Sequence, residues 1–329
     1  MVTNIDGPRA DFFELPCVNE PLSVDDVEET GYLAANPDVR RSGISARQHF
    51  LTEGSAQQRS QWINLPQVTE LRKRKLERIA FSREPEHVRR PDEAPNFLSR
   101  RLIEEFGIPE DPPVSAHPYG APVLDVVRNN PDKLMLDVGA GLRRIYYANV
   151  VNTDIYASVS TDVICIAEDL PFADSQFDGV FCFATLEHTR RPWDVASEIC
   201  RVLKPGGTIM IDYPFMQPVH GYPHHYFNAT PLGNRSLFEA ACDIQSVEIG
   251  WHQHPIVGLQ WMLTVFRNGL PPDEARSFEN LRIGDLLDRP VLTLLEASYS
   301  RLLAPQMQEV IATGSMLIGV KKQPERTGA

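Results

Sequence analysis

Between residues 133 and 213, short apolar runs alternate with polar, helix-compatible stretches. The runs at 133–138, 150–155, 162–166, 178–183 and 207–213 are each bounded by turn residues, which predicts five strands. Between the fourth and fifth, Val195, Ile199, Val202 and Leu203 recur at helical spacing. Pro192 suits the start of that helix, and Pro205, Gly206 and Gly207 stop it. Strands alternating with helices predict a doubly wound, mostly parallel sheet. Residues 123–129 read as a helix before the first strand, and a helix near 231–241 and a strand near 245–251 follow the fifth. Residues 255–312 read as two or three amphipathic helices, with Ile256, Leu259, Gln260 and Leu263 on one face, before a last strand over 315–320. Only ten residues separate Gly141 from Asn152, too few for a helix and a turn. A vestigial helix is expected there, with little dipole to offer a ligand.

The N-terminal third reads differently. Residues 1–30 carry eight acids (Asp6, Asp11, Glu14, Glu20, Asp25, Asp26, Glu28, Glu29) against Arg9, with scattered prolines, and are expected to be a poorly ordered tail. A small helical module and linker follow over 31–95. Ser45 and Gln48 stand at capping-box spacing, and Gly54 suits a helix stop. The mixed-charge stretch 70–101 reads as a solvated connecting helix. The main domain is expected over 96–323, with 255–312 as a helical insert that roofs a cleft or forms a homodimer surface, and 324–329 as a tail.

At 329 residues the chain suits one α/β domain with a smaller addition. Its net charge of −12 would repel polyphosphate over most of the surface, which argues against nucleic acid as a partner. The five cysteines are odd in number, lack C-x-x-C spacing and mostly fall in apolar patterns, which favours a reducing cytoplasm. No apolar run reaches the length of a membrane span, and the N-terminus lacks a leader pattern.

The candidate chemistry starts where the first strand ends. Asp137, Gly139, Ala140 and Gly141 form an acidic strand end followed by a glycine turn, where positive φ lets a ligand approach the main chain. Asp154 closes the second apolar run, at the place where this kind of fold presents a carboxylate to ribose hydroxyls. Leu170 to Phe172 (LPF), Phe177 and Asp178, Leu186 to His188 (LEH), and Arg201 to Gly207 (RVLKPGG) follow in order. That ordered set resembles the class I S-adenosylmethionine-dependent methyltransferases, in particular the small-molecule "type 11" group with members in polysaccharide clusters. The resemblance implies a seven-stranded Rossmann-like sheet and S-adenosylmethionine held by Asp137, Gly139, Ala140, Gly141 and Asp154. It departs twice: Arg143 stands where the family has a third glycine, and Ile166 where it has an Asp that reads adenine. Glu168 and Asp169, with Leu170, are the nearest substitutes. Asp178 resembles the family's structural Asp.

Directly after the fifth strand, residues 214–228 concentrate His220, His224, His225, Tyr222 and Tyr226. A histidine there can take the proton from an acceptor hydroxyl during transfer. Glu187 and His188 at the end of the fourth strand join Tyr222 and Tyr226 as acceptor contacts. Gly221 and Pro223 break the helical spacing that would align two imidazoles, so no metal site is expected. A further unit, YLAANPDV (32–39) with HFLTEG (49–54), resembles modules found beside glycosyltransferases and other glycan-modifying enzymes. Together these readings give a methyltransferase acting on a hydroxyl of a small or glycan-linked acceptor. The alternatives are a methyltransferase-like scaffold without catalysis, to which Arg143, Ile166 and the missing helix point, and a nucleotide-dependent oxidoreductase, which the glycine turn suits less well.

Overall fold

The computed structural model describes residues 13–87, 94–109, 114–221 and 224–316. They fall into two compact units. The first runs to Phe215 and resumes over Gly221–Val247; the second comprises Met216–His220 and the residues from Glu248 onward.

In the first unit, Leu15, Cys17 and Val18 are buried within the acidic N-terminal stretch. Their burial forms β1 (Glu14–Pro16) and β2 (Val18–Asn19), so the described part of the expected tail is ordered. Its acids find surface partners: Glu14 meets Arg128 at 2.5 Å and Glu20 meets Arg144 at 3.1 Å. The helical module follows as α1 (Glu29–Ala35), α2 (Pro37–Ser42) and α3 (Ala46–His49) around Val27, Tyr32, Val39, Ala46 and Phe50. Ser45 caps α3 as expected, accepting from the Gln48 amide at 3.3 Å. Gly54 does not stop the helix by a left-handed turn. A Cβ there would sit 2.1 Å from the Tyr32 hydroxyl, so close packing demands the glycine.

After β3 (Gln61–Trp62), which pairs with β2, comes α4 (Leu65–Leu76). The charged stretch was expected to be solvated, yet α4 turns Arg72 and Lys75 inward with Val68 and Leu71. Then α5 (Arg100–Phe106) and α6 (Ala121–Arg128) lead to β4 (Met135–Val138). No helix follows the glycine turn; β5 (Ile145–Tyr147) pairs antiparallel with β1 instead. The chain continues through β6 (Val150–Asp154), β7 (Val163–Ile164), β8 (Phe177–Phe183), α7 (Pro192–Val202), β9 (Leu203–Asp212) and α8 (Pro231–Phe238).

The main sheet has order β7-β6-β4-β8-β9, and every pairing is parallel. From β4 the chain first builds outward through β6 and β7, then returns to the other side of β4 with β8 and β9. The reversal beside β4 is the kind of switch point at which open α/β sheets bind ligands. The described residues contain five of the seven expected strands. The expected strand near 245–251 is irregular, and Val247 and Ile249 are exposed, so their alternation has no sheet to bury against. Of the last expected strand, 317–320 lie outside the described residues, and Ser315 and Met316 are in no strand.

The second unit is helical: α9 (Pro255–Asn268), α10 (Pro272–Glu279), α11 (Ile283–Leu287), α12 (Val291–Glu296), α13 (Ser298–Arg301) and α14 (Pro305–Val310). Prolines begin or precede four of these helices and cut the expected two or three into six. A small core of Leu270, Tyr299 and Leu303 holds them, with Phe266 stacked on Phe278 at 4.8 Å. The predicted face of α9 stays exposed at Ile256, Leu259 and Leu263.

Candidate ligand site

The glycine turn after β4 is fixed by the chain itself. Gly139 and Gly141 have φ of 71° and 61°. A Cβ on Gly139 would lie 2.3 Å from Thr185 Oγ1, and one on Gly141 would lie 2.4 Å from the Ser115 carbonyl oxygen. The close approach that sequence reasoning reserved for a ligand is therefore also used by Thr185 and Ser115. Buried Ala140 donates its amide to the Thr153 carbonyl at 2.9 Å, and the Gly141 amide donates to Asp154 Oδ2 at 2.8 Å.

Asp137 is fully buried. Its Oδ2 accepts from the Tyr119 hydroxyl and from Arg143 Nε at 2.9 Å, with Arg143 Nη2 at 2.8 Å. Arg143 also donates to the His117 carbonyl at 2.5 Å and lies 4.3 Å over the Tyr119 ring. The departure from the third glycine thus supplies the counter-ion of Asp137 and draws residues 115–119 toward the turn. Asp137 Oδ1 is buried and has no hydrogen-bond partner among the described residues.

At the end of β6, Asp154 is half-buried and also accepts from the Tyr156 amide at 3.0 Å. Burial pushes its carboxyl up to about 6, against the pull of the Gly141 and Tyr156 amides. Each oxygen keeps acceptor capacity after its one amide, as a site for ribose hydroxyls requires. The expected substitutes for the missing adenine-reading acid are otherwise engaged. Ile166 is buried, Glu168 accepts from the Arg190 amide at 3.0 Å, and Asp169 is paired with Arg83 at 2.8 Å. Leu170 lies in the core with its amide donated to Glu198 at 2.8 Å, so it is scaffold. Asp178 is scaffold as expected, accepting from the Leu134 amide at 2.9 Å and Lys204 at 3.0 Å.

The other half of the site follows β8. Ala184 is held at φ 47°, a left-handed conformation that costs a non-glycine residue about 1–3 kcal/mol and commonly marks functional turns. Glu187 comes next, fully buried. Burial, and secondarily the nearby charge of Asp212 at the end of β9, push its carboxyl up to about 8. His188 is 20% exposed and stands 3.8 Å from Glu187. Its Nδ1 lies 2.7 Å from the His224 carbonyl oxygen. A carbonyl can only accept, so Nδ1 carries a proton, and Nε2 is the atom that faces Glu187 Oε1.

The loop histidines are divided between the units. His220 belongs to the second unit, where its ring packs 5.0 Å from Trp261 and its Nδ1 meets the Pro218 carbonyl at 2.8 Å. His224 and His225 belong to the first: His224 packs 5.5 Å from Tyr226, and His225 bonds Asn228 at 2.8 Å while its ring meets His188 edge-on at 5.6 Å. The Tyr226 hydroxyl accepts from Arg190 at 3.0 Å. Tyr222 lies outside the described residues. Sequence reasoning missed Tyr119, Thr185 and Asp212. Only Asp212 left a readable signal, as an acid closing an apolar strand.

Residues 136–211, from β4 to β9, match the family model described as "Methyltransferase domain". The demethylmenaquinone methyltransferase of Renibacterium salmoninarum is 30% identical over 128 residues, which cover 37% of this chain and 48% of that protein. The ubiquinone/menaquinone biosynthesis C-methyltransferase UbiE of Laribacter hongkongensis is 33% identical over 97 residues, covering 28% and 39%. The chain thus spans half or less of the length of these curated relatives. Among solved structures, the YcgJ protein of Bacillus subtilis aligns over 48% of this chain and 88% of its own, at 18% identity and a TM-score of 0.30.

Proposed function

We propose that this chain, whose residues 136–211 match the methyltransferase family model, is a class I S-adenosylmethionine-dependent methyltransferase that transfers the methyl group of that cofactor to a hydroxyl of a small or glycan-linked acceptor. The observation that carries this reading is the pairing of two features on neighbouring strands. The glycine turn and Asp154 suit a nucleoside, and an oriented imidazole, His188, stands beyond β8. S-adenosylmethionine supplies an electrophilic methyl on a sulfonium that is its own leaving group. The protein's work is then to orient the acceptor, exclude water and remove one proton.

Asp154 would hold the ribose hydroxyls, and the main chain at Gly139 to Gly141 would meet the amino-acid end. Buried Asp137 fixes the turn through Arg143. No acid replaces the one missing at Ile166, so adenine would be held by apolar contact and main-chain groups. On the acceptor side, His188 Nε2 takes the proton, and Glu187, held largely in its neutral form by burial, does not compete for it at neutral pH. His224 supports His188 through its carbonyl, which gives it a positioning role in place of the base role expected of its ring. One named relative is a demethylmenaquinone methyltransferase and the other a C-methyltransferase of ubiquinone/menaquinone biosynthesis, so acceptor carbon is the second reading. The five free cysteines suit a reducing cytoplasm. No helix among the described residues is long and apolar enough to cross a membrane.

Calorimetry with S-adenosylhomocysteine, and methyl transfer to a panel of glycans, phenols and quinols with the product bond identified, test the reading. His188→Ala should lower turnover roughly 10²-fold or more while leaving cofactor affinity unchanged. His224→Ala, which keeps the carbonyl, should cost far less. Absence of cofactor binding by the wild-type protein would sink the proposal, and attack from carbon would replace the hydroxyl acceptor.

A further inference from the structure

Three of the five cysteines, Cys17, Cys165 and Cys182, are buried. The other two meet. Cys200 lies in the last turn of α7, Cys242 follows α8, and their Sγ atoms are 3.9 Å apart with both side chains half-buried. Each thiol is carried by an anchored element. Ile199 and Val202 set α7 into the core on either side of Cys200, while Phe238 is 2% exposed and its carbonyl accepts the Cys242 amide at 2.8 Å. Two thiols in contact on separate, fixed elements with access to solvent are arranged as attacking and resolving groups for each other.

We propose that Cys200 and Cys242 form a modification site that closes to a disulfide when the protein meets a hydroperoxide. The two sulfurs are in contact and both reach solvent, so either can react first and the other resolves it. The first sulfur, as thiolate, attacks one peroxide oxygen. The O–O bond breaks, the second oxygen leaves as water or an alcohol after taking a proton, and a sulfenic acid remains on the first cysteine. The second sulfur then attacks that sulfur. An S–S bond forms, the S–O bond breaks, and water leaves with the second thiol's proton. Two thiols are oxidised to one disulfide, and one peroxide is reduced. The new bond closes a ring over residues 200–242, which holds β9, His224, His225 and α8. Oxidation would thereby tie the acceptor-side segment to α7.

The test treats the full-length protein with hydrogen peroxide or cumene hydroperoxide, blocks remaining thiols with iodoacetamide under denaturing conditions, and maps the peptides. The expected result is loss of two alkylatable thiols and a linked peptide pair containing Cys200 and Cys242, reversed by dithiothreitol, with Cys17, Cys165 and Cys182 still alkylated. Cys200→Ser and Cys242→Ser should each abolish the link, and at least one of them should leave on the remaining cysteine a sulfenic acid that a dimedone-type dione traps. The mapping of the wild-type protein stands even if a variant fails to fold. The proposal is overturned if both thiols remain alkylatable at peroxide doses that oxidise glutathione, or if the link joins two chains on a non-reducing gel.

Discussion

Two buried aspartates in the first unit are each held by a tyrosine and an arginine, and differ in what meets the remaining oxygen. Asp162 has both oxygens taken: Tyr146 hydroxyl and Arg72 at 3.6 Å on Oδ1, Lys75 at 2.5 Å and the Asn152 amide at 2.8 Å on Oδ2. Asp137 concentrates Tyr119 and Arg143 on Oδ2 and leaves Oδ1 without a hydrogen-bond partner among the described residues. A buried carboxylate oxygen without a donor is costly, and folded proteins rarely keep one without a use. The satisfied cluster joins α4 to β6 and the loop before β7. The unsatisfied one lies directly beneath the glycine turn. The comparison teaches that Asp162 is architecture, while Asp137 keeps capacity for the ligand end of the sheet.

The largest expected effect breaks the satisfied cluster. Asp162→Ala leaves Lys75 and Arg72 facing each other with no counter-charge, in a site where burial already pushes Lys75 down to about 8. Removing one partner of a buried pair costs about 3–5 kcal/mol, so urea unfolding should shift by that amount. Affinity for S-adenosylhomocysteine, measured on the folded fraction, should not move. A large loss of affinity with stability intact would reverse the assignment of the two clusters.

A third buried acid sharpens the contrast through pH. The folded-state value for Glu187, about 8, lies well above that of an ordinary glutamate. A raised carboxyl contributes stability that is fully present below its unfolded value near 4.5 and is lost as pH rises through about 8. The wild-type protein should therefore lose up to about 5 kcal/mol between those values relative to Glu187→Gln, taking roughly 1.4 kcal/mol for each pH unit of displacement. Denaturant midpoints of both proteins across that window decide the matter, and parallel curves would mean that Glu187 is ionised in the fold.

How far the sequence reached follows the same division. The sheet was legible because β4, β6 and β8 are largely buried and read as short, mostly apolar runs closed by turns. The turn glycines and Asp154 were legible because strand ends fix their place. The polar clusters were not: Lys75 and Arg72 turn inward beside Val68 and Leu71 from within a charged run, and their partner Asp162 lies 87 residues away from Lys75. Arg143 read as a defect because a side chain that supplies a counter-ion looks, in one dimension, like a lost glycine. The histidine loop was legible as composition but not as geometry. The oriented imidazole is His188, in the LEH segment, fixed by a backbone carbonyl that no residue type announces.

Asp154 gives the next smaller effect. Asp154→Ala should weaken S-adenosylhomocysteine by about 1.5–3 kcal/mol, the range for hydrogen bonds to a charged group. Because burial pushes this acid up to about 6, wild-type affinity should fall as pH drops through that value, and Asp154→Asn should abolish the fall. Isothermal titration at several pH values reads both, and an unchanged affinity would return Asp154 to a purely structural role holding the Gly141 amide.

The finest test removes one hydroxyl from each cluster. Tyr146→Phe deletes a donor to Asp162, and Tyr119→Phe deletes the corresponding donor to Asp137, in both cases without opening a large cavity. Each should cost about 1–2 kcal/mol of stability, at the lower end for a hydrogen bond to a carboxylate because three donors or fewer remain to share the charge. The two variants should then part. Asp162 keeps Lys75, Arg72 and the Asn152 amide and stays where it is, so Tyr146→Phe should bind cofactor product as the wild type does. Asp137 keeps only Arg143, and the freed Oδ2 position lets the carboxylate rotate beneath the glycine turn. Tyr119→Phe should therefore change cofactor affinity by a few-fold as well as stability. Equal affinities in the two variants would show that the open oxygen of Asp137 has no part in ligand binding.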